Sequence, residues 1–456
     1  MGAVTNWLDR VTPDGGPIYL AVAAALETAI RSGDLQPGER LPPQREVAAR
    51  LGIDLTTVTR AYNAARERGL TDGAPGRGTF VRLLTPEDDD GRVDLSMNLA
   101  PPPEGMALGT LLSDAIGDIL ARNDASALLA YHPGAGSSAQ RAAGAAWLRS
   151  TVGDLGAERV LVCPGAQTGI AAALSVVCRP GDGVVGASLG YPGFRDVALR
   201  LGLQTLPCTA DFEGPTPEAL DRLCAERRPR ALYLNPTMHN PTTATMSQAR
   251  REEILRLAAK HDLWVIEDDP YSRLTPGAPP AFAALAPERT FHIATLAKCL
   301  TPGLRIGFMV CPSRFVDAAC QALRAFAQMP APLMAAVAAA WIRDGVADDL
   351  LAAVRREAIA RRALAAQALP SAAGPPESLH IWLPLTDARA SARLLAAAQG
   401  QNLSLVTAEA FALGAAYPEG VRIALGGPVR RSILAGALAR VAALADDGSA
   451  PGRGVV

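Results

Sequence analysis

Of the chain's 44 basic residues only Lys260 and Lys298 are lysines, so any chemistry that needs a side-chain amine has two candidates. Lys298 stands in Thr295-Leu296-Ala297-Lys298-Cys299-Leu300-Thr301-Pro302-Gly303-Leu304-Arg305. A hydroxyl three residues before an amine, with a guanidinium seven after it, suits a phosphorylated aldehyde such as pyridoxal phosphate (PLP). The amine closes a Schiff base, and Thr295 and Arg305 hold the phosphate. Lys260 ends the helical stretch Leu257-Ala258-Ala259-Lys260, where a cation meets a helix C-terminus favourably. It is assigned no catalysis.

Other groups fall in a telling order around Lys298. Gly165-Ala166-Gln167 follows an apolar run and opens a helical one, which aims free backbone N–H groups and a helix dipole at an anion. Tyr131 sits in Tyr131-His132-Pro133-Gly134, Tyr191 in Gly190-Tyr191-Pro192-Gly193 and Asn240 in His239-Asn240-Pro241-Thr242-Thr243. Asp268 and Tyr271 follow in Glu267-Asp268-Asp269-Pro270-Tyr271, and Arg422 in Val421-Arg422-Ile423. In this order and spacing the residues resemble the fold-type I PLP-dependent aminotransferases. The resemblance implies that Tyr191 stacks on the cofactor ring and that Asn240 and Tyr271 bond its phenolic oxygen. It implies that Asp268 keeps the ring nitrogen protonated, that Tyr131 reaches the phosphate of a partner subunit, and that Arg422 clamps an α-carboxylate. Two positions depart from the pattern: Thr243 replaces a glycine, and Ala297 replaces a serine.

These groups need a rigid frame, and residues 94–446 have the pattern of one. Apolar runs at 160–163, 183–187, 231–234, 264–267 and 290–295 alternate with helix-length pieces, the signature of a mainly parallel α/β sheet. From about 346 to 446 a long amphipathic helix, short strands near 380–383 and 421–425 and a last helix suggest a smaller α+β part. Residues 447–456 read as a disordered tail. The chain has 456 residues, a net charge of −1, 49% hydrophobic and 20% charged residues, which fits a soluble protein of two or three domains. No signal peptide or membrane-length apolar run is visible. Seven cysteines without paired spacing suit a reducing, cytoplasmic setting. The five histidines form no metal-ligand pattern, so no metal is expected.

Residues 1–82 read as a separate domain, joined by an acidic linker at 83–93. Helical periodicity over 17–31 places Leu20, Ala24 and Ile30 on an apolar face. Helices at 44–51 and 55–68 with a short turn, then a hairpin at 73–81, make a winged helix-turn-helix. Pro17-Ile18-Tyr19, Leu35-Gln36-Pro37-Gly38, Thr57-Val58-Thr59-Arg60-Ala61-Tyr62 and Gly76-Arg77-Gly78-Thr79-Phe80-Val81 resemble the GntR-type DNA-binding domain. With 10 arginines against nine acids in this region, contact with DNA must rest on a local patch. Arg45, Arg60 and Arg77 are placed for phosphates or the minor groove, Thr56 and Thr57 for base edges.

A GntR-type module before an aminotransferase-like domain is similar to the MocR regulators. That resemblance implies a cytoplasmic, head-to-tail homodimer that binds double-stranded operator DNA and senses PLP or an amino compound at Lys298, with at most a weak transamination half-reaction. The competing expectation is a dimeric PLP-dependent aminotransferase carrying a DNA-binding appendage.

Overall fold

Asp54 begins the recognition helix by accepting the Thr56 backbone N–H at 2.7 Å, the usual work of an N-cap aspartate. The computed structural model describes residues 6–11, 16–32, 34–35, 38–74, 78–82, 92–132, 134–154, 156–428 and 430–447. It divides into two units, residues 1–90 with 107–114, and residues 91–106 with 115–456. Residues 83–91 of the expected linker, Arg77 and residues 448–456 of the expected tail lie outside the described residues.

The first unit contains α1 (Ile18–Arg31), α2 (Gln44–Leu51) and α3 (Leu55–Glu67), then the antiparallel hairpin β1 (Thr71–Ala74) and β2 (Gly78–Val81). Gly52, left-handed at φ 64°, closes α2 and frees the chain to turn into α3. The preceding turn is tied to the wing, since Leu41 N–H donates to Thr79 O and Val81 N–H to Glu39 O. Val58, Ala61, Tyr62 and Ala65 form the buried face of α3, as their spacing predicts.

Helix α1 corrects the sequence reading. Leu20 is 37% exposed and Ala24 is exposed, while Val22, Ala25, Leu26 and Ala29 are buried beside Trp7 and Leu8. The run Ala21-Val22-Ala23-Ala24-Ala25-Leu26 is apolar on nearly every side, so periodicity alone could not choose the face. Packing against α3 and the short helix Asn6–Arg10 chooses it.

In the second unit a seven-stranded sheet carries the site. With β3 at Val93–Asp94, its strands are β4 (Val160–Cys163), β5 (Gly183–Ala187), β6 (Gln204–Cys208), β7 (Ala231–Leu234), β8 (Trp264–Asp269), β9 (Thr290–Thr295) and β10 (Gly307–Val310). Their spatial order is β4-β10-β9-β8-β7-β5-β6. All neighbours are parallel except β10, which runs against both β9 and β4. The core strands are buried throughout, which explains their continuous rather than alternating apolar runs.

A three-stranded antiparallel sheet joins β11 (His380–Pro384), β13 (Val406–Thr407) and β14 (Gly420–Ala424), with β14 central. Between them in sequence, β12 (Leu403–Ser404) pairs in parallel with β3. Val93, expected in the linker, therefore already belongs to the second unit's fold, and Asp447, expected in the tail, ends the helix Arg431–Asp447. Six cysteines are buried and Cys320 is half-buried. Among the described residues no helix is long and apolar enough to cross a membrane, and no group of three or more His, Cys, Asp or Glu could hold a metal ion.

Candidate functional site

Strand alternation sorts the carboxylates at the end of β8. Glu267 and Asp269 meet His292 of β9, whose Nδ1 lies 2.9 Å from Glu267 Oε2 and whose Nε2 lies 3.8 Å from Asp269 Oδ2. Asp268, between them in sequence, points to the other face of the sheet. Its Oδ2 accepts the Tyr233 hydroxyl at 2.6 Å, and Tyr233 is itself held by parallel stacking on Phe194 at 4.0 Å. Burial raises Asp268 to a pKa of about 6, against the Tyr233 hydrogen bond, which lowers it. A cation beside Asp268 would restore its charge.

Lys298 follows β9 and is half-buried, with its Nζ donating to the carbonyl of Asn98. Burial, then the charge of Arg422, lowers its pKa to about 8, while Asp268 opposes the shift. At pH 7 about a tenth of such amines are uncharged, against roughly one in several thousand for an ordinary lysine. The nucleophilic form is thus accessible. Lys260, by contrast, pairs on the surface with Asp221 at 2.7 Å.

Where α4 (Ala166–Val177) begins, two glycines shape a cradle. A Cβ on Gly165 would lie 2.9 Å from a guanidinium nitrogen of Arg305, so the arginine rests against the open end of the helix. A Cβ on Gly307 would lie 2.8 Å from Ala294 O and 3.3 Å from Ala166 N, so only glycine lets β10 approach the helix start this closely. Thr295 is buried at the same end of the sheet, and its hydroxyl accepts the Ala297 N–H at 3.2 Å. Gln167 is exposed at the same helix start.

A third group closes the site. Asn98 Nδ2 donates to Tyr271 Oη at 2.9 Å and lies 3.1 Å from His380 Nδ1. Arg422 Nη1 donates to Asn240 Oδ1 at 2.9 Å, and its Nη2 donates to Ser96 O. Its Nε is buried without a partner among the described residues, and burial lowers the guanidinium to about 10. Tyr191 packs over Gly193, where a Cβ would overlap its ring. Burial, then the Asp268 carboxylate, raises the Tyr191 phenol, which places both on one space.

The structure thus gathers Lys298, Asp268, Tyr191, Tyr271, Asn240, Gly165, Ala166, Thr295, Arg305 and Arg422 around one space. Tyr131 does not join them; it is 77% exposed. Sequence reasoning missed Ser96, Asn98, Tyr233 and His380. The group fits PLP by its chemistry. The cradle of helix start and Arg305 suits a phosphate, the buried Asp268 suits a protonated ring nitrogen, and Arg422 keeps a buried donor unused.

On the first unit Arg45 is exposed near the start of α2 and Thr57 is half-buried on α3. Thr56 is exposed, but its hydroxyl is already engaged by Asp54 at 2.5 Å. The guanidinium of Arg60 lies over the Tyr19 ring at 4.2 Å, a cation–π contact. Arg40, not singled out from sequence, lies against Gly78 of the wing.

Residues 101–428 match the family described as aminotransferase class I and II, and residues 18–81 match the gntR family of bacterial regulatory proteins. The chain is 29% identical to an uncharacterized HTH-type transcriptional regulator, YdeF, of Bacillus subtilis, over 93% of each chain. It is 28% identical to the probable rhizopine catabolism regulatory protein MocR of Rhizobium meliloti, over 75% of this chain and 74% of that one. A kynurenine aminotransferase of Pyrococcus horikoshii, solved with PMP, superposes with a TM-score of 0.72 at 23% identity, over 79% of this chain and 92% of that one. The cofactor of the large domain is PLP. The chain belongs to the aminotransferase class I and II family and carries before that domain a gntR-family DNA-binding module, the arrangement of the MocR-type regulators.

Proposed function

We propose that the large domain is a sensor, and that PLP together with an amino compound at Lys298 sets the affinity of the winged module for operator DNA. When bound, PLP supplies an electrophilic carbon and an electron-withdrawing ring. The chain's own groups do the rest. Lys298 offers an amine that is partly uncharged at neutral pH, and Asp268 holds a proton at the ring nitrogen. Tyr271 and Asn240 serve the ring oxygen, Gly165, Ala166 and Arg305 the phosphate, and Arg422 the ligand's carboxylate. Tyr131, with its 77% exposure, is free to complete the site of a second copy in a head-to-tail dimer. The protein would act in the cytoplasm, on chromosomal DNA.

The observation that carries a sensor rather than an enzyme alone is the place of Ser96 and Asn98. They stand a few residues after the expected linker, yet their carbonyls accept from Arg422 and Lys298. A ligand at those two residues competes with the stretch of chain nearest to the DNA-binding module in sequence, and a ligand shifts an equilibrium only through such differential contacts.

The test is operator affinity of the purified full-length chain with no cofactor, with PLP, and with PLP plus a panel of amino compounds. A change of about 5- to 150-fold is expected for the effector, the usual range of coupling. Unchanged affinity throughout, together with steady transamination, would instead favour the dimeric aminotransferase with a DNA-binding appendage.

A further inference from the structure

His239, His380, Asn98 and Tyr271 form one directed chain of hydrogen bonds, and its direction can be deduced. His380 is fully buried, and burial, reinforced by the charge of Arg422, lowers its pKa to about 3, so the ring is neutral and carries one proton. Its Nε2 lies 3.3 Å from the carbonyl of His239. A carbonyl oxygen can only accept, so the proton sits on Nε2 and Nδ1 is a bare lone pair. Nδ1 therefore needs a donor, and the atom 3.1 Å away is Asn98 Nδ2. The opposite amide orientation would set an oxygen against that lone pair. The tautomer thus fixes the amide, and the amide's second N–H donates to Tyr271 Oη at 2.9 Å. A phenol whose oxygen already accepts keeps its own proton for the site.

We propose that Asn98 is a positioning residue of the cofactor site: its amide turns the Tyr271 hydroxyl so that the phenol donates to the ring oxygen of PLP. Asn98 touches neither the ring nor a ligand in this role; it acts through Tyr271. Two further observations favour it over a packing role. Asn98 is only 7% exposed, yet its Oδ1 has no partner among the described residues, a cost that a residue selected for packing alone does not carry. Its backbone carbonyl meanwhile accepts from Lys298, so the residue spans the amine and the phenol. The inference rests on the cofactor site and holds whether the chain regulates, transaminates or does both.

The experiment uses the full-length chain loaded with PLP alone. Two quantities are read, the pH midpoint of the visible absorbance of bound cofactor and the dissociation constant for PLP. A donor on the ring oxygen favours its anionic form. Asn98→Ala leaves the phenol free to turn towards His380, so the midpoint should rise by about half to one pH unit and the dissociation constant by roughly 2- to 10-fold. Asn98→Asp, nearly isosteric, replaces the donor by an acceptor and should shift the midpoint further the same way. Both variants keep the backbone carbonyl that meets Lys298. In a Tyr271→Phe background Asn98→Ala should shift neither quantity further, because the group it acts through is gone. A midpoint unmoved in both Asn98 variants, even with a lowered melting temperature, overturns the proposal. So does a shift that persists undiminished in the Tyr271→Phe background.

Discussion

Arg422 donates to the Ser96 carbonyl from Nη2, the one nitrogen shared by both forks with which a guanidinium grips a carboxylate. The side-on fork uses Nε and Nη2, and the end-on fork uses Nη1 and Nη2. Nε is without a partner among the described residues and Nη1 meets Asn240. Nη2 carries two N–H groups, so a carboxylate in either fork takes one of them beside the Ser96 carbonyl, and it displaces Ser96 where both claim the same hydrogen.

That geometry predicts which ligands loosen the segment at residues 93–99. With PLP bound, an amino acid should speed amide exchange there by roughly 2- to 10-fold, the loss of about one hydrogen bond, while an amine without a carboxylate should not. Leu95, whose N–H donates to Ser404 O at 3.0 Å, is a reporter within the segment. Arg422→Ala should keep PLP and abolish the response. Exchange that stays constant at saturating amino acid would show that Ser96 is not displaced.

The raised pKa of Asp268, about 6, has a definite sign in the cofactor-free protein. The folded state holds this proton more tightly than the unfolded chain does. The contribution to stability is therefore full below about pH 4 and is lost as pH rises through about 6. Asp268→Asn should be more stable than the parent at pH 7, by at most about 3 kcal/mol, and the advantage should vanish near pH 4. Denaturant titrations of both proteins across that range give the difference directly. The same variant should bind PLP more weakly, having lost the counter-charge for the ring nitrogen.

Gly307→Ala tests the cradle. The added methyl would meet Ala294 O at 2.8 Å and the start of α4, and backbone atoms cannot swing aside. A destabilisation of about 1–3 kcal/mol is expected, with a further loss of PLP affinity because the helix start is pushed from Arg305. If PLP affinity is retained while stability falls, the helix start is not the phosphate seat.

DNA binding should depend on Arg60 and Arg45. Alanine at either should weaken operator binding by about 1–3 kcal/mol for a bidentate base contact, and by less for a phosphate contact. Since Arg60 rests on Tyr19 at 4.2 Å, Tyr19→Leu should free it and leave affinity equal or raise it by a few fold, up to about 1 kcal/mol. Mobility shifts at one fixed salt concentration decide both points. Undiminished affinity in Arg60→Ala and Arg45→Ala would move the recognition surface elsewhere.

The sequence made the frame legible because buried parallel strands advertise themselves as unbroken apolar runs, as at Val160–Cys163 and Thr290–Thr295. The lysine was legible because lysine is so rare here. What stayed hidden were pairings across long separations, such as Tyr233 with Asp268 or Asn98 with His380, 282 residues apart. Nothing near Asn98 in the sequence marks it. The face of α1 was hidden for a different reason: an alanine-rich helix offers several faces of similar hydrophobicity, and only its neighbours choose.

The burial of the thiols bears on chemoselectivity. Aldehydes are captured by thiolates as well as by amines, and Cys299 is the immediate neighbour of Lys298. Its sulfur is buried, 3.7 Å from the Pro270 carbonyl, and burial raises the thiol to about 12. At neutral pH it is almost wholly protonated and a poor nucleophile, while the adjacent amine is tuned the opposite way. The same burial that makes one residue reactive silences the other, so of these two neighbours it is the amine that a carbonyl reagent meets.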